Sequence, residues 1–89
     1  MPERNIMIQN KLGLHARASA RFAATAGAYA CDVHIIKDGI EVNGKSIMGI
    51  MMLAAGKGSE ITIRAEGSNA ETALNALEQL VNERFGEAE

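Results

Sequence analysis

The sequence has little of several residue types that carry specialised functions. Cys31 is its only cysteine, which excludes an internal disulfide and a metal cage of several cysteines. We expect this thiol to be a small buried residue at the start of a strand. The longest apolar run, residues 47–56, is far too short for a membrane span, and no signal-peptide pattern follows the first residues. The sequence therefore predicts a cytoplasmic protein without membrane insertion.

A surplus of positive charge is also missing. Nine Lys and Arg residues stand against eleven Asp and Glu residues, for a net charge of −2, which argues against nucleic acid as the main partner.

With no tryptophan, one tyrosine and two phenylalanines, the core must be filled by aliphatic side chains. A length of 89 residues and 47% hydrophobic content indicate a single domain over residues 1–89.

Hydrophobic periodicity predicts seven elements in the order β-α-β-β-α-β-α. Alternation places Val33, Ile35, Ile40 and Val42 on the inward face of a hairpin, which turns at residues 38–39 (Asp-Gly). Residues 68–71 (Ser-Asn-Ala-Glu) have the form of a capping box for the last helix. The predicted strands are residues 5–9, 31–37, 40–42 and a fourth through Ile61, Ile63 and Ala65. The predicted helices are residues 16–26, 47–53 and an apolar stripe from Ala70 to Arg84.

This order favours an α+β fold with helices on one face of a four-stranded sheet. Each crossover leaves room for a further strand, and inserting the fourth strand between the first and second makes all neighbours antiparallel, in the order 1-4-2-3. A ferredoxin-like strand order is the competing arrangement, and the pattern does not separate the two.

The residues around His15 form the most distinctive local pattern. Gly13 allows a sharp turn, His15 stands where a helix begins, and Arg17 follows two positions later. The first N–H groups of that helix, those of Ala16, Arg17 and Ala18, are suited to binding phosphate oxygens. Arg17 adds a permanent cation. A lone histidine at a helix start is more often an ordinary polar residue, and His34, on the outward side of a strand, is expected to be solvated. The two histidines make a poor metal pair, so no metal site is predicted.

Two segments resemble the HPr and NPr phosphocarriers of the bacterial sugar phosphotransferase system. Residues 13–17 (Gly-Leu-His-Ala-Arg) are similar to the active-site motif of that family. Residues 44–48 (Gly-Lys-Ser-Ile-Met), with 51–53 (Met-Met-Leu), resemble its second motif around a regulatory serine. The likeness runs from the first strand to the last helix, and two motifs in the right order are far more specific than one.

The resemblance implies an open-faced β-sandwich with three helices on one face. It implies that His15 accepts a phosphoryl group from phosphoenolpyruvate-charged enzyme I and passes it to a histidine of an IIA-type protein. Arg17 would stabilise the phosphohistidine, and Ser46 would be phosphorylated by HPr kinase/phosphorylase. Such a protein is a carrier rather than an enzyme and needs no cofactor.

The chain departs from the family at one position of the first motif. The family usually has proline after the arginine, where this chain has Ala18, so the first helical turn is less rigid. Residues 10–12 (Asn-Lys-Leu) are closer to the nitrogen-related NPr branch, whereas residues 44–49 resemble carriers that meet HPr kinase. The sequence is interpreted as a proteobacterial HPr with a mainly regulatory role, with an NPr-type carrier as the alternative.

The second motif also has a structural interpretation, because Ser46 stands where a helix N-cap would. A helix of two turns cannot bury all its apolar side chains, so Ile47, Met48 and Met51 are expected to form a partly exposed patch for partners near His15. Arg21 and Lys45 are interpreted as cations that help to steer acidic partners.

Two other functions compete with the phosphocarrier. A metal-delivery module shares the order of elements but normally presents a cysteine pair in the first loop, which this chain lacks. The other is a plain interaction domain in which His15 is incidental. The chain is expected to be a monomer, since no second large apolar surface is evident.

Overall fold

The computed structural model describes residues 2–89, and it confirms the predicted order of elements. The N-cap residues of the first two helices, His15 and Ser46, have the extended backbone expected at helix starts, whereas Asn69, the N-cap of the third, is left-handed. The strands are β1 (Glu3–Met7), β2 (Asp32–Lys37), β3 (Ile40–Asn43) and β4 (Glu60–Glu66). The helices are α1 (Ala16–Gly27), α2 (Ile47–Met52) and α3 (Ala70–Asn82), and a short 3₁₀ turn (Arg84–Gly86) follows.

The four strands form one sheet in the order β1-β4-β2-β3, and every neighbouring pair is antiparallel. The preferred topology is therefore confirmed over the ferredoxin-like alternative. In the register, Ile61 of β4 lies opposite Ile6, and Ile63 lies opposite Ile35. These pairs put aliphatic side chains from neighbouring strands on the same face of the sheet.

One face of the sheet is covered by helices and the other faces water. Along β4, Ile61 and Ile63 are buried, whereas Thr62 and Arg64 between them are partly exposed. Burying a side chain of this kind contributes about 1.5–3 kcal/mol. The helices supply Phe22 from α1, Ile50 from α2, and Ala73, Leu74, Leu77 and Val81 from α3.

The hairpin between β2 and β3 confirms one prediction and corrects another. Asp38 and Gly39 have φ values of 51° and 80°, the left-handed pair that a tight hairpin turn requires. Ile40, predicted to face inward, is instead 59% exposed. It lies beside the turn at the start of the edge strand, where β3 pairs only with β2. No second strand covers it there.

The capping box predicted for α3 is wrong. Asn69, not Ser68, is the N-cap, with a left-handed φ of 62° and no side-chain cap hydrogen bond. The Glu71 carboxylate reaches Arg4 of β1 instead, at 2.9 Å, so it does not fold back onto the helix start. An ion pair between α3 and the sheet replaces the local cap.

The end of the last helix also differs from the prediction. The helix stops at Asn82, and Arg84, Phe85 and Gly86 all have left-handed φ values, of 57°, 56° and 80°. This reverses the chain and buries Phe85 completely. The left-handed conformation costs about 1–2 kcal/mol per non-glycine residue, and the buried ring offsets that cost. As a result, residues 87–89 return toward the start of α1.

Candidate functional site at the start of the first helix

His15 is the N-cap of α1. Its backbone is extended, with φ −73° and ψ −178°, and its carbonyl accepts a hydrogen bond from Ser19 N at 2.8 Å. The Ser19 hydroxyl donates to the carbonyl of Leu14 at 3.0 Å and is completely buried. The predicted position of the residue at the start of a helix is therefore confirmed. The two hydrogen bonds from Ser19 hold the first turn of α1 in place.

Gly13 allows the loop before His15 to lie against the loop after α2. Leu14 N donates to Ala55 O at 2.9 Å. Gly13 has a φ of +66°, and a Cβ at this position would collide with Ala55 O and lie 2.7 Å from the Cα of Gly56. Only glycine fits both the backbone angle and the close contact. This turn directs His15 toward the surface.

The first turn of α1 presents hydrogen-bond donors that could bind an anion. Within residues 2–89, the N–H groups of Ala16 and Arg17 have no hydrogen-bond acceptor, and both residues are exposed. The Arg17 guanidinium makes no hydrogen bond to this part of the chain either. Ala18 is completely buried, so its amide is less accessible than those of Ala16 and Arg17, and a phosphate contact at Ala18 stays a prediction. The accessible donors are those of Ala16 and Arg17.

Glu87, a residue that the sequence analysis missed, contacts the imidazole directly. Its Oε2 lies 2.5 Å from His15 Nε2, and its Oε1 accepts a hydrogen bond from Asn10 Nδ2 at 3.0 Å. The same Asn10 amide donates to Gly13 O at 2.8 Å, and Asn10 is completely buried. A buried asparagine thus ties the carboxylate to the turn before His15.

The surroundings of Glu87 stabilise its charged form. Burial works in the opposite direction, because it raises the pKa of a carboxyl group. The hydrogen bonds from Asn10 and His15, together with the charges of His15 and Arg17, outweigh burial and lower the pKa of Glu87 below its usual value. Glu87 is therefore an anion near neutral pH, beside the imidazole.

The C-terminal segment that carries Glu87 is anchored at several points. Phe85 is buried in the core, and its carbonyl accepts a hydrogen bond from Arg21 Nη1 at 2.5 Å. Lys11 N donates to Glu89 O at 2.9 Å. Arg21, predicted to steer partners, thus holds this segment. A phenylalanine and a glycine just beyond the helical pattern were the only sequence signal for it.

Ser46 is the N-cap of α2, as predicted. Its Oγ accepts a hydrogen bond from Gly49 N at 3.0 Å, and the residue is partly exposed. Lys45 donates from Nζ to Tyr29 O at 2.8 Å. Although α2 buries Ile50, it leaves several apolar side chains open to water: Ile47 (44%), Met48 (76%), Met51 (42%) and Met52 (79%).

The other candidate groups do not join the His15 site. His34 lies on the open face of the sheet, with Nδ1 3.3 Å from Glu41 Oε2. Residues 2–89 contain no group of three or more histidine, cysteine, aspartate or glutamate side chains arranged to hold a metal ion. Within the same range, no helix has the length and apolar character needed to cross a bilayer.

Comparison with known proteins finds similar sequences and structures over almost the whole chain. A family model described as "PTS HPr component phosphorylation site" matches residues 2–83. A protein of Pseudomonas aeruginosa named "Phosphocarrier protein HPr" is 52% identical, over the full length of both chains. The structure of HPr-C-His from Thermoanaerobacter tengcongensis superimposes with a TM-score of 0.96 at 44% identity, covering both chains fully. A structure of an HPr dimer from that organism has a TM-score of 0.79 at 45% identity, covering 98% of this chain and 100% of the other.

Proposed function

Since the chain belongs to the HPr family of phosphocarrier proteins of the phosphotransferase system, we propose that it accepts a phosphoryl group on His15 from phosphoenolpyruvate-charged enzyme I. It then passes the group to a histidine of an IIA-type protein. The observation that carries this proposal is the partly exposed imidazole at the start of α1, in a cleft that Arg17 also lines and next to two amides without acceptors within residues 2–89. We place this exchange in the cytoplasm.

The contact with Glu87 indicates which ring nitrogen reacts. An ionised carboxylate only accepts hydrogen bonds, so His15 Nε2 must carry the proton in this contact. In the neutral ring, Nδ1 then has the lone pair, and within residues 2–89 it receives no hydrogen bond. Nδ1 attacks phosphorus, and the electron pair of the broken bond stays with the donor. Arg17 and the amides of Ala16 and Arg17 then hold the transferred oxygens.

The protein acts as a carrier rather than a catalyst, because it is consumed and regenerated in each cycle. Incubation with phosphoenolpyruvate and enzyme I, followed by intact-mass measurement, tests the proposal. We expect one acid-labile phosphate per chain, absent in His15→Ala. A phosphate that persists in His15→Ala, or no phosphate on the wild-type chain, would overturn it.

We further propose that Ser46 is a regulatory phosphorylation site for HPr kinase/phosphorylase. Its partly exposed side chain caps α2, and a phosphate there would be favoured by the helix start while adding about −1.5 to −2 charge. Ser46→Asp should remain folded but accept phosphate from enzyme I more slowly, because the new charge repels an acidic docking surface. Unchanged transfer kinetics would contradict this prediction.

The exposed side chains of α2 are the proposed docking surface. Ile47, Met48 and Met51 are apolar and open to water, and Met side chains adapt to different partners. The loop after α2 contacts the turn before His15 through the hydrogen bond from Leu14 N to Ala55 O, so the two surfaces adjoin. We propose that the carrier works as a monomer, although a relative has been solved as a dimer. Sedimentation at two protein concentrations tests this.

A further inference from the structure

The C-terminal segment places the Glu87 carboxylate on Nε2 of the imidazole, and no carboxylate within residues 2–89 contacts Nδ1. Glu87 is more buried than His15, with side-chain exposures of 16% and 28%. Both of its oxygens are engaged, one by His15 and one by Asn10. The segment is held independently by buried Phe85. The carboxylate is therefore positioned by the fold and does not depend on His15 for its place.

We propose that Glu87 is a positioning residue for phosphoryl transfer, which fixes the proton of His15 on Nε2 in both the unmodified and the phosphorylated protein. The inference rests on the proposed function of His15 and deepens it. By holding the proton on Nε2, Glu87 leaves the lone pair on Nδ1 and selects that nitrogen as the acceptor.

The proton balance of the transfer explains the advantage. When neutral His15 attacks through Nδ1 and keeps its Nε2 proton, the ring becomes a positively charged phosphoimidazolium. The Glu87 carboxylate stabilises that charge through the same hydrogen bond. In onward transfer the Nδ1–P bond breaks, its electron pair returns to Nδ1, and the ring is again neutral. The ring gains and loses no proton in either step.

The other charged groups around the ring do not substitute for Glu87. Two cations line the same cleft, Arg17 on α1 and Lys11 in the preceding loop. The anionic side chain of Glu89 lines it as well. The cations favour the phosphoryl oxygens but disfavour a positive ring. Within residues 2–89, Glu87 alone has a side-chain hydrogen bond with the imidazole.

Glu87→Gln tests the proposal with little change of shape. Glutamine has one acceptor oxygen and one NH2 donor where glutamate has two acceptor oxygens, so it cannot accept from Asn10 with one atom and from His15 Nε2 with the other. The purified protein is phosphorylated with phosphoramidate, a small donor that needs no docking surface, and the product is followed by ³¹P NMR. Nitrogen-15 NMR at about pH 9, where histidine is neutral, locates the ring proton in the unmodified protein.

In the wild-type protein we expect the proton on Nε2 and phosphorylation of Nδ1 alone. In Glu87→Gln we expect the proton shared between both nitrogens, phosphate on both, and transfer from enzyme I slower by roughly three- to tenfold. Glu83→Gln is the matched control: it removes one charge at the end of α3, where within residues 2–89 the carboxylate accepts a hydrogen bond only from Gln79. The His34 signals serve as an internal reference.

An unchanged proton position and a single phosphorylated nitrogen in Glu87→Gln would overturn the proposal. So would transfer as fast as, or faster than, that of the wild type, because a faster reaction would identify the segment as a plug over His15. These outcomes are separable from failure of the proposed function. If enzyme I does not phosphorylate the wild-type chain, the carrier function fails, while the NMR experiments still report on Glu87.

Discussion

Replacing Gly13 by alanine should destabilise the protein far more than the same replacement at Gly58. Both glycines have left-handed backbones, with φ values of +66° and +87°. A Cβ at position 58 meets no atom of residues 2–89 within 4 Å, whereas a Cβ at position 13 would collide with the backbone oxygen of Ala55. The pair therefore separates the cost of the backbone angle from the cost of the collision.

The magnitudes follow from these two contributions. A non-glycine residue in the left-handed region costs about 1–2 kcal/mol, and part of this is offset in both variants by about 0.4–1 kcal/mol from the stiffer unfolded chain. Gly13→Ala must in addition push the backbone at Ala55 aside, at about 1–3 kcal/mol. The hydrogen bond from Leu14 N to Ala55 O then weakens, at about 1 kcal/mol. We expect Gly13→Ala to be about 2–4 kcal/mol less stable than Gly58→Ala.

Urea denaturation, with thermal melting as a second measurement, tests this difference. For a domain of this size 1 kcal/mol corresponds to roughly 4–8 °C in Tm, so Gly13→Ala should melt at least about 8 °C below Gly58→Ala. If the two variants had equal stability, the close contact between the two loops would not constrain position 13, and the reasoning about the turn before His15 would be refuted.

Three further predictions concern the C-terminal segment and α2. Phe85→Ala should lower the free energy of unfolding by about 3–5 kcal/mol because the ring is completely buried; a loss below about 1 kcal/mol in urea denaturation would contradict the anchoring. Ser46→Ala should cost about 1 kcal/mol through loss of the hydrogen bond that Ser46 Oγ accepts from Gly49 N, whereas Ser46→Asp keeps an acceptor and should melt near the wild type. Because folding lowers the pKa of Glu87, its ionised form stabilises the protein above the ordinary value of 4.5, and this contribution disappears as the pH falls below it. Wild type should therefore lose more stability on acidification than Glu87→Gln, which denaturation at about pH 6 and about pH 3 would show; parallel losses would count against the contact.

Local patterns predicted the parts of the molecule that depend on neighbours in the chain. Alternation identified β4, and helical spacing identified the apolar stripe of α3. Residues 38–39 specified the hairpin turn, because aspartate and glycine readily adopt the left-handed backbone angles that this turn needs. The position of His15 at a helix start was also readable, since Gly13 and the alanine-rich segment after it mark the boundary. Each of these signals depends on residues that are close together in the chain, so it can be recognised from a single sequence.

The predictions that were wrong concern residues whose environment depends on parts of the chain that are distant in sequence. Glu71 forms an ion pair with Arg4 of β1 in place of the predicted capping box, and Ile40 is exposed because it lies at the start of an edge strand. A local pattern carries no information about either partner. Both errors arise from the arrangement of the sheet and leave the His15 site unchanged.

The sequence by itself determined that His15 stands at the mouth of a helix beside Arg17, because turn and helix signals act within a few residues. Only the tertiary structure decided what touches the imidazole. Glu87 lies 72 positions away, and it arrives there because burial of Phe85 reverses the chain after α3 and a buried asparagine at position 10 receives its carboxylate. Such an encounter depends on the packing of the whole core, which no short pattern encodes.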